Sequence, residues 1–215
     1  MLSIQTSKIE KKDNLFVYNL NYPIIKSDDE NNITNHINNR IYEDIIAFKS
    51  VVEDIMDVNN NQQSFISTNY YIKYNNNGII SIPIEFTQVD GLYNISYINS
   101  YNYDITLEKE INIKDLFKSE VDYMKIITKK IDSKIKELSR NLSLDEYIIV
   151  LDYLKDIIFT DDPAFYISKD GIVVCFSSYE LDQNIKDIST FKISFIEDIN
   201  YLSKYIIERV INSQI

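Results

Sequence analysis

The 215-residue sequence is short of the residue types on which disulfide frameworks, metal sites and phosphate-binding loops depend. It has one cysteine, one histidine, three glycines, three prolines and no tryptophan. A single cysteine excludes an internal disulfide framework, and one histidine with one cysteine is too few for a His/Cys zinc site. The glycines stand singly at apparent turns, so no glycine-rich loop can cradle a nucleotide phosphate. We therefore expect no metal ion and no cofactor.

Long apolar segments are also missing. No window approaches 18 consecutive apolar residues, and the N-terminus lacks the apolar core and the cleavage site of a secretory signal. We therefore expect no membrane insertion. The sequence as written predicts a cytoplasmic protein, or an extracellular one if an export segment precedes this numbering.

The charge balance is strongly acidic. Lys and Arg number 22 against 33 Asp and Glu, which gives a formal net charge of -11. Nucleic-acid binding needs clustered Lys and Arg to neutralise phosphates, so this balance argues against DNA or RNA as a partner. A basic protein would be attracted at long range, although acidity also serves solubility alone.

Enough apolar residues are present to build a core. Hydrophobic residues make up 45% of the chain, including 17 Tyr and 10 Phe. A chain of this length can bury one sizeable core or two small ones. We expect a single compact unit over residues 1–215, with two lobes, 1–118 and 119–215, as the alternative division.

The first half predicts strands around one long helix. Apolar residues recur every three or four positions over residues 31–57, which predicts an amphipathic helix, and residues 15–25 before it predict a strand that a short strand at 3–10 could pair with. An Asn-Asn-Asn-Gly turn at 75–78 joins two strands into a hairpin, and Pro83 places the second strand at an edge or in a bulge. Residues 92–105 alternate with period two and predict a half-buried strand.

The second half predicts three helices and three strands. Ser119 could cap a helix to residue 138, and a capping-box pattern at 143–146 opens another to 158. A hairpin is predicted around Lys169-Asp170-Gly171, then a strand at 191–195 and a C-terminal helix opened by a capping box at Ser194, with inward-facing Ile199, Leu202, Ile206 and Val210. Segregated strands and helices favour an α+β fold, with antiparallel sheets packed against the long N-terminal helix and a C-terminal helical/β lobe.

Few residues suggest catalysis. His36 falls off the apolar line of its helix and is expected in solvent, and Cys175 lies on the most apolar strand, where packing is the expected role. Two carboxylates facing one cleft could hydrolyse a glycosidic bond. The candidates at loops or strand ends are Asp90, Asp104, Asp161, Asp162 and Glu180.

A tyrosine stripe runs along the strand predicted at 92–105. It could be a stacking platform for sugar rings, an anchor at a protein interface, or an inner face packed against the long helix. Its members are Tyr93, Tyr97, Tyr101 and Tyr103.

Three segments together resemble a known bacterial domain family. They are residues 101–117 (YNYDITLEKEINIKDLF), residues 165–176 (FYISKDGIVVCF) followed by Tyr179-Glu180, and residues 191–199 (FKISFIEDI). Tyr22-Pro23 and the helix after it also fit the pattern. The family is shared by the extracellular region of the RsiV anti-sigma factor and the N-terminal region of the peptidoglycan deacetylase PdaC.

The resemblance implies a non-enzymatic binding module. The related region of RsiV binds lysozyme, a basic enzyme, so the implied partner is a basic lysozyme-type hydrolase. The PdaC context leaves peptidoglycan binding open as the alternative, and a carboxylate-based hydrolase is a third reading. We predict a partner-binding site at Asp90, Tyr93, Tyr97, Tyr179 and Glu180.

Overall fold

Two sheets and two main helices make up the described part of the chain, which comprises residues 1–12, 14, 16–26, 32–56, 63–90, 93–138, 143, 163–175 and 190–214 of a computed structural model. The predicted α+β class is confirmed. The chain divides into two compact units, Met1–Glu110 and Ile111–Ile215.

The first unit is built on one seven-stranded sheet. Its strands are β1 (Ser3–Lys12), β2 (Phe16–Lys26), β3 (Ser64–Tyr70), β4 (Tyr74–Asn76), β5 (Ile79–Asp90), β6 (Tyr93–Asp104) and β7 (Lys109–Glu110). They lie in the order β1-β2-β3-β5-β6-β7, with β4 also paired to β5. Helix α1 (Asn32–Met56) follows β2.

One pair of neighbouring strands departs from the predicted antiparallel pattern. β2 and β3 are parallel, with Phe16 opposite Ser64, whereas the other pairs in this sheet are antiparallel. The reason is the helix between them. A helical crossover returns the chain to the end of the sheet from which it left, so the next strand runs in the same direction.

α1 packs on the sheet through one apolar stripe. Its buried residues follow the spacing of three and four that places side chains on one face of a helix. They are Ile33, Ile37, Ile41, Ile45, Phe48 and Val52. On the sheet they meet an apolar cluster that includes Leu20, Ile82, Ile84 and Phe86. Asn38 fixes the helix to β2 by accepting from the backbone N–H of Ile25 and donating to its carbonyl, at 2.8 and 2.9 Å.

The hairpin predicted around Asn75-Asn76-Asn77-Gly78 is present between β4 and β5. Asn77 and Gly78 both have positive φ, 49° and 75°, as a type I′ turn requires. Further along β5, three residues (71–73) stand opposite two, Ile82 and Pro83, which makes a bulge between β3 and β4. Pro83 therefore lies where the ladder of hydrogen bonds is interrupted, so its missing N–H removes no regular ladder hydrogen bond.

The second unit contains a three-stranded antiparallel sheet. Its strands are β8 (Phe165–Ile167), β9 (Gly171–Cys175) and β10 (Thr190–Ser194), in the order β10-β9-β8. The hairpin predicted at Gly171 joins β8 to β9. β9 is central and buried along its whole length, Cys175 included. Helix α2 (Tyr123–Leu138) packs on β10.

The start of α2 was predicted at the wrong residue. Ser119 does not cap it, because the helix begins at Tyr123 and the Asp122 carboxylate accepts the backbone N–H of Lys125 at 3.2 Å. The Ser119 hydroxyl instead contacts Glu120 at 3.3 Å. The helix predicted over residues 143–158 lies outside the described residues, apart from Ser143.

The C-terminal helix is also shorter than predicted. The capping-box residues around Ser194 form a turn, in which Asp198 accepts the N–H of Ser194 at 2.9 Å. The chain then makes a 3₁₀ turn (Ile199–Tyr201), with Ile199 exposed rather than inward. Ser203 caps the helix α3 (Lys204–Ile206), which continues as a π turn (Ile207–Ile211) and a 3₁₀ turn (Asn212–Gln214). A further 3₁₀ turn in this unit covers Ile113–Leu116.

Candidate functional site

The tyrosine stripe on β6 lies against one row of α1, and we call the two together the helix–tyrosine seam. Residues four apart share one side of a helix, and residues two apart share one face of a strand, so the two rows can meet along their length. The row on α1 is His36, Arg40, Asp44 and Phe48, and the row on β6 is Tyr103, Tyr101 and Tyr97. Tyr97, Tyr101 and Tyr103 thus pack against the helix, as one of the predicted alternatives has it, whereas the side chain of Tyr93 is not among those described.

Tyr101 joins the middle of the seam by a hydrogen bond. Its hydroxyl donates to Asp44 Oδ2 at 2.7 Å, and Arg40 Nε lies 3.8 Å from the same oxygen. Burial raises the pKa of Tyr101, and the neighbouring carboxylate raises it further because it disfavours a second negative charge. Tyr101 therefore stays a neutral donor, and this contact ties β6 to α1.

Tyr97 ends the seam on an aromatic platform. Its ring stacks on Phe86 with a centroid separation of 5.0 Å and an interplanar angle of 2°, and Phe48 meets both rings edge-on at 6.0 and 5.2 Å. Phe86 and Phe48 are buried, whereas Tyr97 is only partly buried. The exposed part of Tyr97 is thus held in one orientation by two rings beneath it.

His36 occupies the other end of the seam. It is exposed, as predicted, and the Tyr103 ring lies edge-on to it at 6.3 Å. Cys175 is 3% exposed and packs in the core of the second unit, also as predicted. Asp104 is buried and accepts the backbone N–H of Leu107 at 3.0 Å, so it stabilises the turn after β6.

The predicted binding residues are described to different extents. Asp90 and Tyr93 stand directly opposite each other where β5 ends and β6 begins, and the structure describes their backbone but not their side chains. Tyr97 lies four residues further along β6. Tyr179 and Glu180 lie outside the described residues, as do the carboxylate candidates Asp161 and Asp162.

The carboxylate of Glu85 lies on the face of the β5–β6 hairpin opposite to Tyr97. Glu85 Oε1 accepts the hydroxyl of Ser96 at 3.0 Å, and that hydroxyl lies 3.3 Å from Thr87 Oγ1. Glu85 stands opposite Ile98, and Tyr97 opposite Phe86, so the carboxylate and the tyrosine project to opposite faces of the β5–β6 pair. The outer half of the hairpin therefore presents an aromatic group on one face and a negative charge on the other.

A second polar cluster joins the far end of α1 to β2, and sequence reasoning missed it. The Tyr18 hydroxyl donates to Glu53 Oε1 at 2.5 Å, and Lys49 donates to Glu53 Oε2 at 2.7 Å. Lys49 and Lys11 also lie over the Tyr18 ring, 5.3 and 5.7 Å from its centroid. The hydrogen bonds from Lys49 and then Tyr18 lower the pKa of Glu53. Only the spacing of Lys49 and Glu53 by four residues signals part of this cluster in the sequence.

The described residues show neither a metal-binding group nor a membrane-spanning helix. These residues contain no group of three or more His, Cys, Asp or Glu side chains arranged to hold a metal ion. The same residues include no helix that is both long and apolar enough to span a bilayer.

Two family models match successive parts of the chain. The model described as deacetylase PdaC matches residues 9–91, and the model described as a protein of unknown function, DUF3298, matches residues 114–183. The predicted resemblance to the PdaC family is therefore confirmed over these two regions, whereas the matches do not bear on the predicted link to RsiV. No curated protein matches the sequence.

Two solved structures share the fold. A member of the DUF3298 family from Bacteroides fragilis is 14% identical, with a TM-score of 0.62 over 99% of this chain and 98% of that chain. A DUF3298 family protein from Pseudomonas aeruginosa PAO1 is 11% identical, with a TM-score of 0.57 over 95% of this chain and 93% of that chain. At these identities the likeness establishes the fold alone.

Proposed function

We propose that this chain is a non-enzymatic module that binds a protein partner, because the PdaC and DUF3298 models match successive parts of it. The observation that carries the proposal is the packing of Tyr97, a partly exposed ring that stacks on buried Phe86 and meets buried Phe48 edge-on. Tyrosines in such positions dominate the energetics of many protein interfaces. Since the ring is already held in place, little conformational entropy is lost when a partner covers it.

The proposed contact surface is the outer half of the β5–β6 hairpin, which comprises residues 85–90 and 93–98. Tyr97 supplies the aromatic anchor, and Glu85, on the opposite face, supplies a carboxylate. Asp90 and Tyr93 complete this end of the hairpin, where their backbones are paired. Tyr179 and Glu180 lie outside the described residues and stay predictions from the sequence.

The charge of the chain favours a basic partner. The first unit contains 15 Asp and Glu against eight Lys and Arg, so it carries the larger part of the net charge of -11. An acidic surface accelerates association with a basic protein and disfavours an acidic one. Together with the resemblance to the lysozyme-binding region of RsiV-type anti-sigma factors, this charge supports a basic lysozyme-type hydrolase of the cell envelope as the partner.

Binding to a basic lysozyme tests the proposal directly. We expect saturable binding by biolayer interferometry, with an association rate that falls between low and moderate salt because the charges are screened. Tyr97→Ala should weaken binding about tenfold or more, as expected for an aromatic anchor. Tyr42→Ala is the matched control, because Tyr42 is an exposed tyrosine of α1 outside the seam.

Two results would contradict parts of the proposal. Absence of saturable binding at either salt concentration would remove lysozyme as the partner. Equal loss of affinity in Tyr97→Ala and Tyr42→Ala would remove Tyr97, and with it the outer half of the β5–β6 hairpin, as the contact surface. Because Tyr97 packs on the core, urea unfolding of each variant is needed to separate lost binding from lost folding.

Peptidoglycan is the second candidate ligand, and the flat stacking of Tyr97 on Phe86 favours it specifically. Aromatic rings held in a fixed orientation are suited to stacking against sugar rings. A pull-down with purified peptidoglycan should then be lost in the double variant Tyr93→Ala/Tyr97→Ala. A pull-down unchanged by that double variant would count against the glycan reading. Release of soluble glycan fragments during incubation would instead favour the carboxylate-based hydrolase.

A further inference from the structure

Strand β1 forms one edge of the seven-stranded sheet. All ten of its residues, Ser3–Lys12, pair with β2 on one side. Within the described residues, no strand pairs with β1 on its other side. The outward N–H and C=O groups of an edge strand can pair with the backbone of another chain.

The start of this edge is fixed by contacts to distant parts of the sheet. The Asn75 side chain accepts the backbone N–H of Leu2 and donates to its carbonyl, both at 2.9 Å. Thr6 Oγ1 lies 2.6 Å from the Tyr70 hydroxyl. The strand is therefore already extended and ordered, so that pairing with another strand requires little further ordering of its backbone.

We propose that β1 pairs antiparallel with β1 of a second copy of this chain, centred on Ile9. In a symmetric antiparallel pair, residues that stand opposite each other are of the same hydrogen-bonding type. The two-fold axis therefore passes midway between the two copies of one residue, which is the centre of the pair. Centring the pair on Ile9 places Lys8 opposite Glu10 of the second copy, and Glu10 opposite its Lys8. Both cross-strand charge pairs are then favourable.

The other registers of similar length lack this complementarity. Centring the pair on Lys8 would place that lysine opposite its own copy, and like charges directly opposite are destabilising. Centring it on Thr6 or Ser7 would pair no opposite charges. Each of these registers, and the one on Ile9, pairs at least seven residues of β1. Charge therefore selects the register centred on Ile9.

The side chains of Lys8 and Glu10 can exchange their ion pair within the strand for ion pairs with the second copy. Lys8 and Glu10 form an ion pair within the strand, with 42% and 63% of their side chains exposed. Ile9 between them is half-buried against the core. Seven paired residues bury less surface than a standard protein interface, so the dimer should be weak and depend on concentration.

Sedimentation equilibrium of charge-swapped chains tests the proposal. We expect the apparent mass of the wild type to rise with concentration from 25.3 kDa towards twice that value. Lys8→Glu alone and Glu10→Lys alone should each weaken self-association about tenfold, because each places like charges opposite one another. An equimolar mixture of the two variants should associate again, since the mixed pair restores both attractions.

Lys12→Glu is the matched control, because it changes charge on the same strand but faces Thr6 in this register. It should associate as the wild type does. A wild type that stays monomeric at every concentration would overturn the proposal. Association that survives in both single variants would assign the contact to another surface. A mixture of the two variants that fails to associate would overturn the register centred on Ile9.

Cysteine cross-linking gives an independent measurement of the same register. The one native cysteine, Cys175, is buried, so an introduced thiol reports on its own surroundings. Ile9→Cys should form a disulfide-linked dimer on mild oxidation, whereas Thr6→Cys should not, because the two copies of Thr6 would lie about 20 Å apart along the strands. Equal cross-linking at both positions would contradict the proposed register.

Discussion

The hydroxyl of Tyr101 donates a 2.7 Å hydrogen bond to the carboxylate of Asp44, and so connects β6 to α1. The two partners differ in exposure, since Tyr101 is 4% exposed whereas 30% of the Asp44 side chain is accessible to water. Removing Tyr101's hydroxyl and removing Asp44's carboxylate should therefore lower the free energy of unfolding by different amounts.

Removing the acceptor should destabilise the protein more than removing the donor. Asp44→Ala removes the acceptor of the buried Tyr101 O–H, while Asn99 still bonds to the same oxygen, and should lower the free energy of unfolding by about 2 kcal/mol. Tyr101→Phe should cost about 1 kcal/mol, because water can solvate the remaining carboxylate. Urea unfolding of both variants measures the difference, with Tyr42→Phe as the exposed control. Tyr101→Phe proving the more harmful of the two would contradict this account.

Gly171 should not tolerate a side chain. A Cβ at this position would lie 2.4 Å from the backbone carbonyl oxygen of Ile193, so β9 and β10 would have to separate. We expect Gly171→Ala to lower the free energy of unfolding by about 2 kcal/mol or more. Thermal unfolding compared with Lys169→Ala, an exposed change in the same hairpin, provides the measurement. Equal stability of the two variants would mean that the strands can move apart at little cost.

The turn between β4 and β5 should discriminate between its two central residues. Gly78 has a φ of 75°, and Gly78→Ala should cost about 1 kcal/mol because a Cβ is strained there. Asn77→Gly should be nearly neutral, since asparagine and glycine both adopt positive φ in such turns. Chemical denaturation of the two variants checks this order. A neutral Gly78→Ala would show that the turn adopts another conformation.

The cluster around Glu53 should make stability depend on pH in a defined direction. Hydrogen bonds from Lys49 and Tyr18 hold the pKa of Glu53 below its ordinary value of 4.5. A carboxyl whose pKa is lower in the folded state contributes stability above its unfolded pKa and loses it as the pH falls through the folded value. The stability advantage of the wild type over Glu53→Gln should therefore be full near neutral pH and decline below pH 4.5. Denaturation of both proteins across this range tests the sign, and an advantage that grows on acidification would contradict it.

The sequence predicts best those elements whose signals are local. The hairpin at Asn77-Gly78 follows from turn chemistry, and the buried strand at 171–175 follows from its unbroken apolar run. The cap of α2 was wrong because Ser119 and Asp122 are both good capping residues, and only the backbone path selects between them. The parallel pairing of β2 with β3 depends on where the chain returns after α1, which no local pattern specifies.

The candidate site was predictable in part for the same reason. The alternation along β6 identifies Tyr97 and Tyr101 as members of one face. The alternation does not predict the contacts of Tyr97 with Phe86 and Phe48, because those contacts join three separate elements. The Tyr18–Glu53 hydrogen bond likewise spans 35 residues of chain and depends on how α1 lies on the sheet.

The parallel neighbours β2 and β3 also constrain the order in which the first unit can assemble. β1 with β2 and β5 with β6 are joined by short connections, so each hairpin can form rapidly on its own. Bringing Phe16 beside Ser64 instead requires the intervening chain, α1 included, to fold back across the sheet. Contacts between sequence-distant segments slow folding, because their loop entropy is lost before they stabilise anything. Joining the two hairpins through this pair is accordingly the step that should limit the folding rate.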